Sequence, residues 1–138
     1  MVHELDISGT DCSGADLSGG IFNHSKLNGI NFSGANLKEV KFIECEIRDA
    51  RFTKADFTQV SFVNCDLSQG VFAEDNVSEV NFVNCTLNGT DFSRANLANA
   101  NFIEPKLQLA NLSAANLYFT NFISADLTGA KLAGANLE

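Results

Sequence analysis

The sequence predicts a repeat protein that forms one domain over residues 1–138, because a single five-residue pattern runs through it without a break. Large apolar residues occupy every fifth position from Val2 to Leu137, and Cys12 is the one position of this series that is not Leu, Ile, Val or Phe. A helix would spread such residues around its circumference, and a strand would turn them to alternate faces. A different regular structure is therefore required.

A second pattern lies two residues before the large apolar residues, where small side chains predominate. Asp or Asn commonly stands between the two, as in Ala15-Asp16-Leu17, Ala95-Asn96-Leu97 and Ala125-Asp126-Leu127. These units resemble the A-[DN]-L/F-x-x motif of the pentapeptide-repeat family, and the resemblance covers essentially the whole chain. It implies an all-β fold, a right-handed quadrilateral parallel β-helix in which each pentapeptide forms one side and four form one coil. The chain would then be a pentapeptide-repeat solenoid of about seven coils.

A four-sided coil predicts a further period of 20 residues, and the sequence shows one. Ten of the twelve Phe residues fall into two columns on opposite sides, which we expect to form the structural core: Phe22, Phe42, Phe62, Phe82, Phe102 and Phe122, and Phe32, Phe52, Phe72 and Phe92. The other two columns are chiefly Leu. Coils stacked at the strand spacing of about 4.8 Å would give a rod somewhat over 30 Å long.

Composition limits the range of functions. The apolar content of 45% suffices for a core, no stretch approaches the ~20 apolar residues of a membrane span, and the N-terminus lacks signal-peptide features. Seventeen acidic residues against nine basic ones give a net charge of −8, which argues against binding to a phosphate backbone. We therefore expect a cytoplasmic protein that binds neither nucleic acid directly nor a membrane.

Two sets of chemically active residues have alternative interpretations. Cys45, Cys65 and Cys85 stack in one inward column, as a disulfide or metal set or as reduced core thiols, and the second interpretation is favoured because parallel side chains do not converge. His24 shares a column with Glu4 and Glu44, which fits a weak metal site but better fits solvated surface charge. No catalytic constellation is recognisable, so we expect no enzyme activity, no cofactor and no metal.

Asp75 is the sharpest break in the pattern, because it occupies an inward position that holds Ala elsewhere in the same column. A buried, unpaired carboxylate is costly. We therefore expect the segment Glu74–Val77 to bulge and to turn this carboxylate toward solvent or toward backbone amides. The break could be a tolerated defect or could serve a partner.

The candidate interaction surface has two parts, a stripe on the outward side of the Phe22–Phe122 column and a group of outward residues near the C-terminus. Its members are apolar residues predicted to face solvent: Ile43, Val63, Val83, Ile103 and Ile123 in one stripe, and Leu109, Tyr118 and Phe119 near the C-terminus. The alternative is that β-branched residues simply suit a parallel ladder. As a contact surface, the set predicts binding to another protein of unknown identity, or a homodimer through the apolar stripe or the C-terminal coil.

The resemblance also implies one specific activity. Some pentapeptide-repeat proteins mimic duplex DNA and modulate DNA gyrase or other type II topoisomerases, which confers quinolone resistance. The acidic net charge and the rod shape fit that activity. The basic residues Lys38, Lys41, Arg48, Arg51 and Lys54 and the absence of projecting loops do not. We therefore favour a non-catalytic, rigid protein–protein interaction scaffold, with the DNA-mimicking gyrase modulator as the alternative.

Overall fold

The computed structural model describes residues 1–138 as a stack of coils that contains strands and turns but no helix. Seven short strands lie on one side of the stack and pair in parallel in chain order: β1 Val2–His3, β2 Ile21–Asn23, β3 Lys41–Ile43, β4 Ser61–Val63, β5 Asn81–Val83, β6 Asn101–Ile103 and β7 Asn121–Ile123. Each paired strand residue has as its partner the residue 20 positions later, as Phe42 has Phe62. The predicted all-β parallel β-helix is confirmed.

The other three sides of each coil are built from single bridging residues. We number the four faces along the chain, so that the first face carries β1–β7 and the second, third and fourth faces carry bridges such as Asp6–Lys26, Asp11–Asn31 and Asp16–Asn36. Coil 1 spans residues 1–20, coil 2 spans residues 21–40, and so on to coil 7. Because the register never slips, each face is a straight column of equivalent residues.

The corners between faces require backbone in the left-handed region, which explains why polar turn-forming residues surround the apolar ones. Glu39 at one corner has a φ of 61°, and Leu109 at another has a φ of 59°. The Asp or Asn before a central residue stabilises the next corner, since its side-chain oxygen accepts a hydrogen bond from the amide two residues later. Asp16 Oδ1 accepts from Ser18 N at 3.1 Å in this way. The recurring Asp and Asn are therefore structural.

The core consists of stacked aromatic rings and aliphatic side chains. Phe42 and Phe62 stack at 4.9 Å between ring centroids with an interplanar angle of 7°, and Phe52 and Phe72 stack at 4.4 Å. The two Phe columns meet edge to face across the interior. Phe rings in the middle of the rod are fully buried, whereas Phe122 in coil 7 is only partly buried.

The fold contains no helix that is long and apolar enough to cross a membrane.

Candidate interaction surface

The apolar stripe of Ile43, Val63, Val83, Ile103 and Ile123 runs along the outward side of the first face. Its first four members are partly exposed, and Ile123 in β7 is 53% exposed. Parallel pairing places each side chain directly above the next, so the stripe is continuous from coil 3 to coil 7.

Two aromatic side chains stand beside the end of this stripe. Tyr118 and Phe119 form the corner between the fourth and first faces in coil 6, directly before β7, and we call them the aromatic corner. Their ring centroids are 4.3 Å apart, and the two residues are 45% and 68% exposed. Exposed aromatic residues next to an apolar stripe are typical of the anchors of protein–protein interfaces.

Leu109 does not join this surface, although the sequence grouped it with the other apolar residues near the C-terminus. It lies at the corner between the second and third faces, diagonally across the rod from the aromatic corner. Its side chain is 71% exposed and leans over Gly129 of the next coil, where a Cβ atom would come within 2.7 Å of Leu109 Cδ2. The candidate set therefore divides into two surfaces.

The basic residues of the middle coils form a belt around the rod. They belong to different faces and corners: Lys41 to the first face, Arg51 to the third face, and Arg48, Lys54 and Lys38 to three successive corners. Arg48 is paired with Asp66 at 2.6 Å, and Lys38 lies 3.8 Å from Glu39. The structure thus shows no single basic patch, and no face is uniformly acidic either.

The histidines and cysteines also occupy structural positions. His24 Nε2 lies 2.6 Å from Glu44 Oε2, and no group of three or more His, Cys, Asp or Glu side chains is arranged to hold a metal ion. The cysteines are free, and Cys85 Sγ donates a hydrogen bond to the carbonyl oxygen of Phe62 at 3.4 Å. Burial raises the pKa of the Cys85 thiol to about 11, so it stays protonated and unreactive near neutral pH.

Seven of the seventeen acidic side chains, all of them Asp, accept hydrogen bonds from the turn that follows them. Hydrogen bonds from Thr58 lower the pKa of Asp56, and hydrogen bonds from Ser18 lower that of Asp16. Such groups remain ionised and accept hydrogen bonds, and their pKa values are shifted away from those useful for proton transfer near neutral pH.

Asp75 is the exception. The expected bulge does not form, because Glu74 keeps the same left-handed backbone as its equivalents and the turns continue in register. The carboxylate is not turned to solvent, since Asp75 is only 4% exposed. The other expectation, contact with a backbone amide, is confirmed, since Oδ1 accepts a hydrogen bond from Lys54 N at 2.7 Å, whereas Oδ2 is buried without a partner. Burial raises the pKa of Asp75 to about 6, although the bond from Lys54 N acts in the opposite direction.

The fourth face is open beside this carboxylate. At every other coil junction on this face, backbone hydrogen bonds join the two coils, as from Leu37 N to the carbonyl of Asp56 at 3.1 Å. Between coils 3 and 4, four bonds of this pattern are absent: Lys54 N to Ala73 O, Asn76 N to Ala55 O, Phe57 N to Asn76 O, and Gln59 N to Ser78 O. The bridge between Asp56 and Asn76 is missing as well.

A polar surface cleft of about 470 Å³ occupies this opening. Residues 54–59 of coil 3 line one side, and Asn76, Ser78 and Glu79 of coil 4 line the other. Sequence reasoning did not find the cleft. Two signals in the sequence lie at this junction: Asp75 itself, and Phe57, which stands in a column that holds Leu37 before it and Val77 after it.

The comparisons with known proteins agree with this architecture. A family profile described as a pentapeptide repeat region matches residues 4–72, and a profile of pentapeptide repeats in eight copies matches residues 76–104 and 106–138. The chain therefore belongs to the pentapeptide-repeat family, as its motif predicted. No curated protein sequence matches the chain.

Solved structures of other pentapeptide-repeat proteins have the same fold. Full-length QnrB1, a plasmid-mediated fluoroquinolone resistance protein, aligns with a TM-score of 0.63 and 23% identity over 99% of this chain and 74% of its own length. A pentapeptide repeat protein from the thylakoid lumen of Arabidopsis thaliana aligns with a TM-score of 0.53 and 25% identity, over 86% of this chain and 68% of its own. At identities of 23% and 25%, these two matches show that the fold is shared.

Proposed function

We propose that this protein is a non-catalytic, rigid interaction scaffold that binds another protein through the first face and the aromatic corner. The observation that carries the proposal is that Tyr118, Phe119 and Ile123 all remain exposed near the C-terminal end of a continuous apolar stripe. Large apolar groups that remain exposed together on an acidic repeat protein favour a contact surface.

The construction of the rod supports a scaffold rather than an enzyme. Each coil is bonded to the next by backbone hydrogen bonds and by stacked rings, so side chains on one face keep a fixed spacing. Asp75 is the only buried charged residue, and the other charged side chains lie on outward positions. The geometry offers a partner a straight, pre-organised surface, which reduces the entropy lost on binding.

The size of the stripe indicates what the partner must touch. The stripe is one side chain wide and five coils long, so at the strand spacing of about 4.8 Å it covers about 5 Å by 20 Å, or about 100 Å². A stable interface needs about 800 Å² from each partner. The stripe alone is therefore too small, and the partner has to extend over the aromatic corner and neighbouring polar positions.

The test compares two double variants that add the same charge to different faces. V63K/V83K places two lysines in the stripe, and V71K/T86K places two at outward positions of the third and second faces, in columns that already hold Arg51 and Lys106. A photo-crosslinking residue at position 119 reports contacts in cells that produce the protein, and light scattering reports self-association.

We expect a discrete crosslinked species, with a second copy or with another protein, that forms in the parent and in V71K/T86K and is lost in V63K/V83K. A chain that stays monomeric and gives no adduct at position 119 beyond that from position 131 on the third face would refute the proposal. An adduct that V71K/T86K removes equally would also refute it, because the stripe would then have no special part.

DNA-mimicking modulation of gyrase or topoisomerase is the second candidate, and the net charge of −8 on a narrow rod favours it. The belt of basic residues weakens this candidate, since it interrupts the acidic surface on several faces. A supercoiling assay with purified gyrase tests it directly. Inhibition that weakens as salt is raised from about 50 to 200 mM would support a mimic, and unchanged supercoiling at micromolar protein would exclude it.

A further inference from the structure

The opening in the fourth face coincides with the one charged residue of its inward column. Ala occupies the equivalent positions in coils 1, 2, 3, 5, 6 and 7, and Asp75 occupies the position in coil 4. All four missing ladder bonds lie on the side of Asp75 that faces coil 3, while Asn96 N still donates to the carbonyl of Asp75 at 2.9 Å on the other side. The defect is thus confined to one junction.

The carboxyl group takes part in the ladder in place of a backbone carbonyl. Lys54 N, which in the regular pattern would donate to Ala73 O, donates instead to Asp75 Oδ1. This leaves the carbonyl of Ala73 without its ladder donor, and the carbonyl of Ala55 lacks the amide of Asn76. The buried Oδ2 has no donor either. An ionised carboxylate can only accept hydrogen bonds, so it cannot satisfy these carbonyl oxygens.

A protonated carboxyl group differs in this respect, because its O–H is a donor. We propose that Asp75 is a protonation-dependent latch of the fourth face: when it is ionised, coils 3 and 4 stay apart and the cleft is hydrated, and when it is protonated, its O–H bonds to a vacated carbonyl and the junction closes.

Burial and the neighbouring charges together set the pH at which the latch switches. Glu74 is the neighbour in the chain and disfavours ionisation of Asp75, but Arg94 from coil 5 lies 3.1 Å from Glu74 and offsets part of that charge. Lys54, Asp56 and Glu79 line the cleft on the outer side. Burial is the largest influence and raises the pKa of Asp75 to about 6, so the switch falls between acidic and neutral pH.

Closure would have a consequence beyond the cleft. The other three faces keep their ladder bonds at this junction, so a change of spacing on the fourth face alone tilts coils 1–3 relative to coils 4–7. The latch would therefore set the straightness of the rod, and with it the alignment of Ile43 with Val63 on the adjoining first face.

Amide hydrogen exchange measured by NMR tests the latch at the affected bonds. The reporters are the amides of Phe57, Gln59 and Asn76, and the internal references are the amides of Leu37 and Leu97 on the same face. Protection factors corrected for the intrinsic pH dependence of exchange are compared at pH 5 and pH 8. The variants are D75N, D75A, and the controls D56N, E74Q and E79Q.

We expect the three reporter amides of the parent to be protected at least about tenfold more at pH 5 than at pH 8, with no such change at the references. D75N and D75A should remove the pH dependence, and D75A, which restores the Ala of the other coils, should protect the reporters at both pH values. D56N and E79Q should behave as the parent does, and E74Q should keep the pH dependence, because it removes only a minor influence on the ionisation of Asp75.

Two results would overturn the proposal. The first is equal protection of the parent reporters at both pH values, or a pH dependence that survives in D75N. The second is reporters that stay unprotected in D75A, because the opening would then be held by another residue, with Phe57 as the next to be tested through F57L.

Discussion

Coils 3 and 4 meet in two different ways on adjoining faces of the rod. On the first face, β3 and β4 pair in register, and the rings of Phe42 and Phe62 stack at 4.9 Å beneath them. On the fourth face, the bridge between Asp56 and Asn76 is missing and a cleft takes its place. The same two coils are therefore joined by regular pairing on one face and lack that pairing on the next.

The comparison shows which positions hold the coils together. Large central residues are tolerated on both faces, because Phe57 is buried as fully as its Leu equivalents nearby. The small inward position is less tolerant, since one carboxylate there takes a backbone donor from the ladder. We infer that the ladder depends on the small residue more than on the identity of the large one.

The largest expected loss of stability is for a substitution beneath the first face, where the junction between coils 3 and 4 is intact. F62A should lower the free energy of unfolding by about 3–5 kcal/mol, because it removes a fully buried ring that stacks on Phe42 and Phe82. F57L, beside the opening, should change it by less than about 1.5 kcal/mol, since Leu already fills this column at Leu37 and Leu97. Urea denaturation followed by circular dichroism measures both, and equal losses would contradict the distinction.

An intermediate effect is expected when Asp75, beside the opening, is replaced by the Ala that the other coils have. The pKa of Asp75 is raised from 3.8 to about 6, so the folded state binds this proton more tightly than the unfolded chain, and the stability contributed by the protonated group is lost as the pH rises from about 4 through 6. D75A should therefore be more stable than the parent by about 2–3 kcal/mol at pH 7.5 and by much less at pH 4.

Thermal unfolding at the two pH values checks this prediction. The other shifted carboxylates, such as Asp16 and Asp56, have lowered pKa values and act in the opposite direction, with stability lost as the pH falls, so the difference between D75A and the parent is the informative quantity. A difference that does not vary with pH would show that the cost of Asp75 is steric.

The smallest expected effect concerns side chains outside the core. Asn96 donates to Asn76 Oδ1 at 3.0 Å and accepts from Asn116 Nδ2 at 2.9 Å, which joins three coils, whereas the Asp56 carboxylate bonds only within its own turn, to Thr58. N96A should lower the free energy of unfolding by about 1–2 kcal/mol and D56A by about 0.5–1 kcal/mol. Urea denaturation measures both. A larger loss in D56A would mean that this acid bridges the opening.

Much of the fold could be predicted because the pattern is strictly local and repeated. The five-residue series and its period of 20 predicted the stacked Phe columns, and the inward positions of Cys45, Cys65 and Cys85 followed from the same register. The candidate surface was less predictable. Leu109 is close to Tyr118 in the chain, but a four-sided coil turns it to the opposite corner, which a linear count of apolar residues does not convey.

The sequence by itself determined the register, the buried columns and the outward stripe, since in a solenoid each of these depends only on a residue's position modulo 20. Tertiary structure alone decided how Asp75 is accommodated. The sequence indicated a misfit and predicted a bulge within coil 4, but the backbone of that coil is held by its ladder to coil 5. The coils parted at the junction with coil 3 instead, because a carboxylate that captures one amide costs less than one that distorts a whole turn.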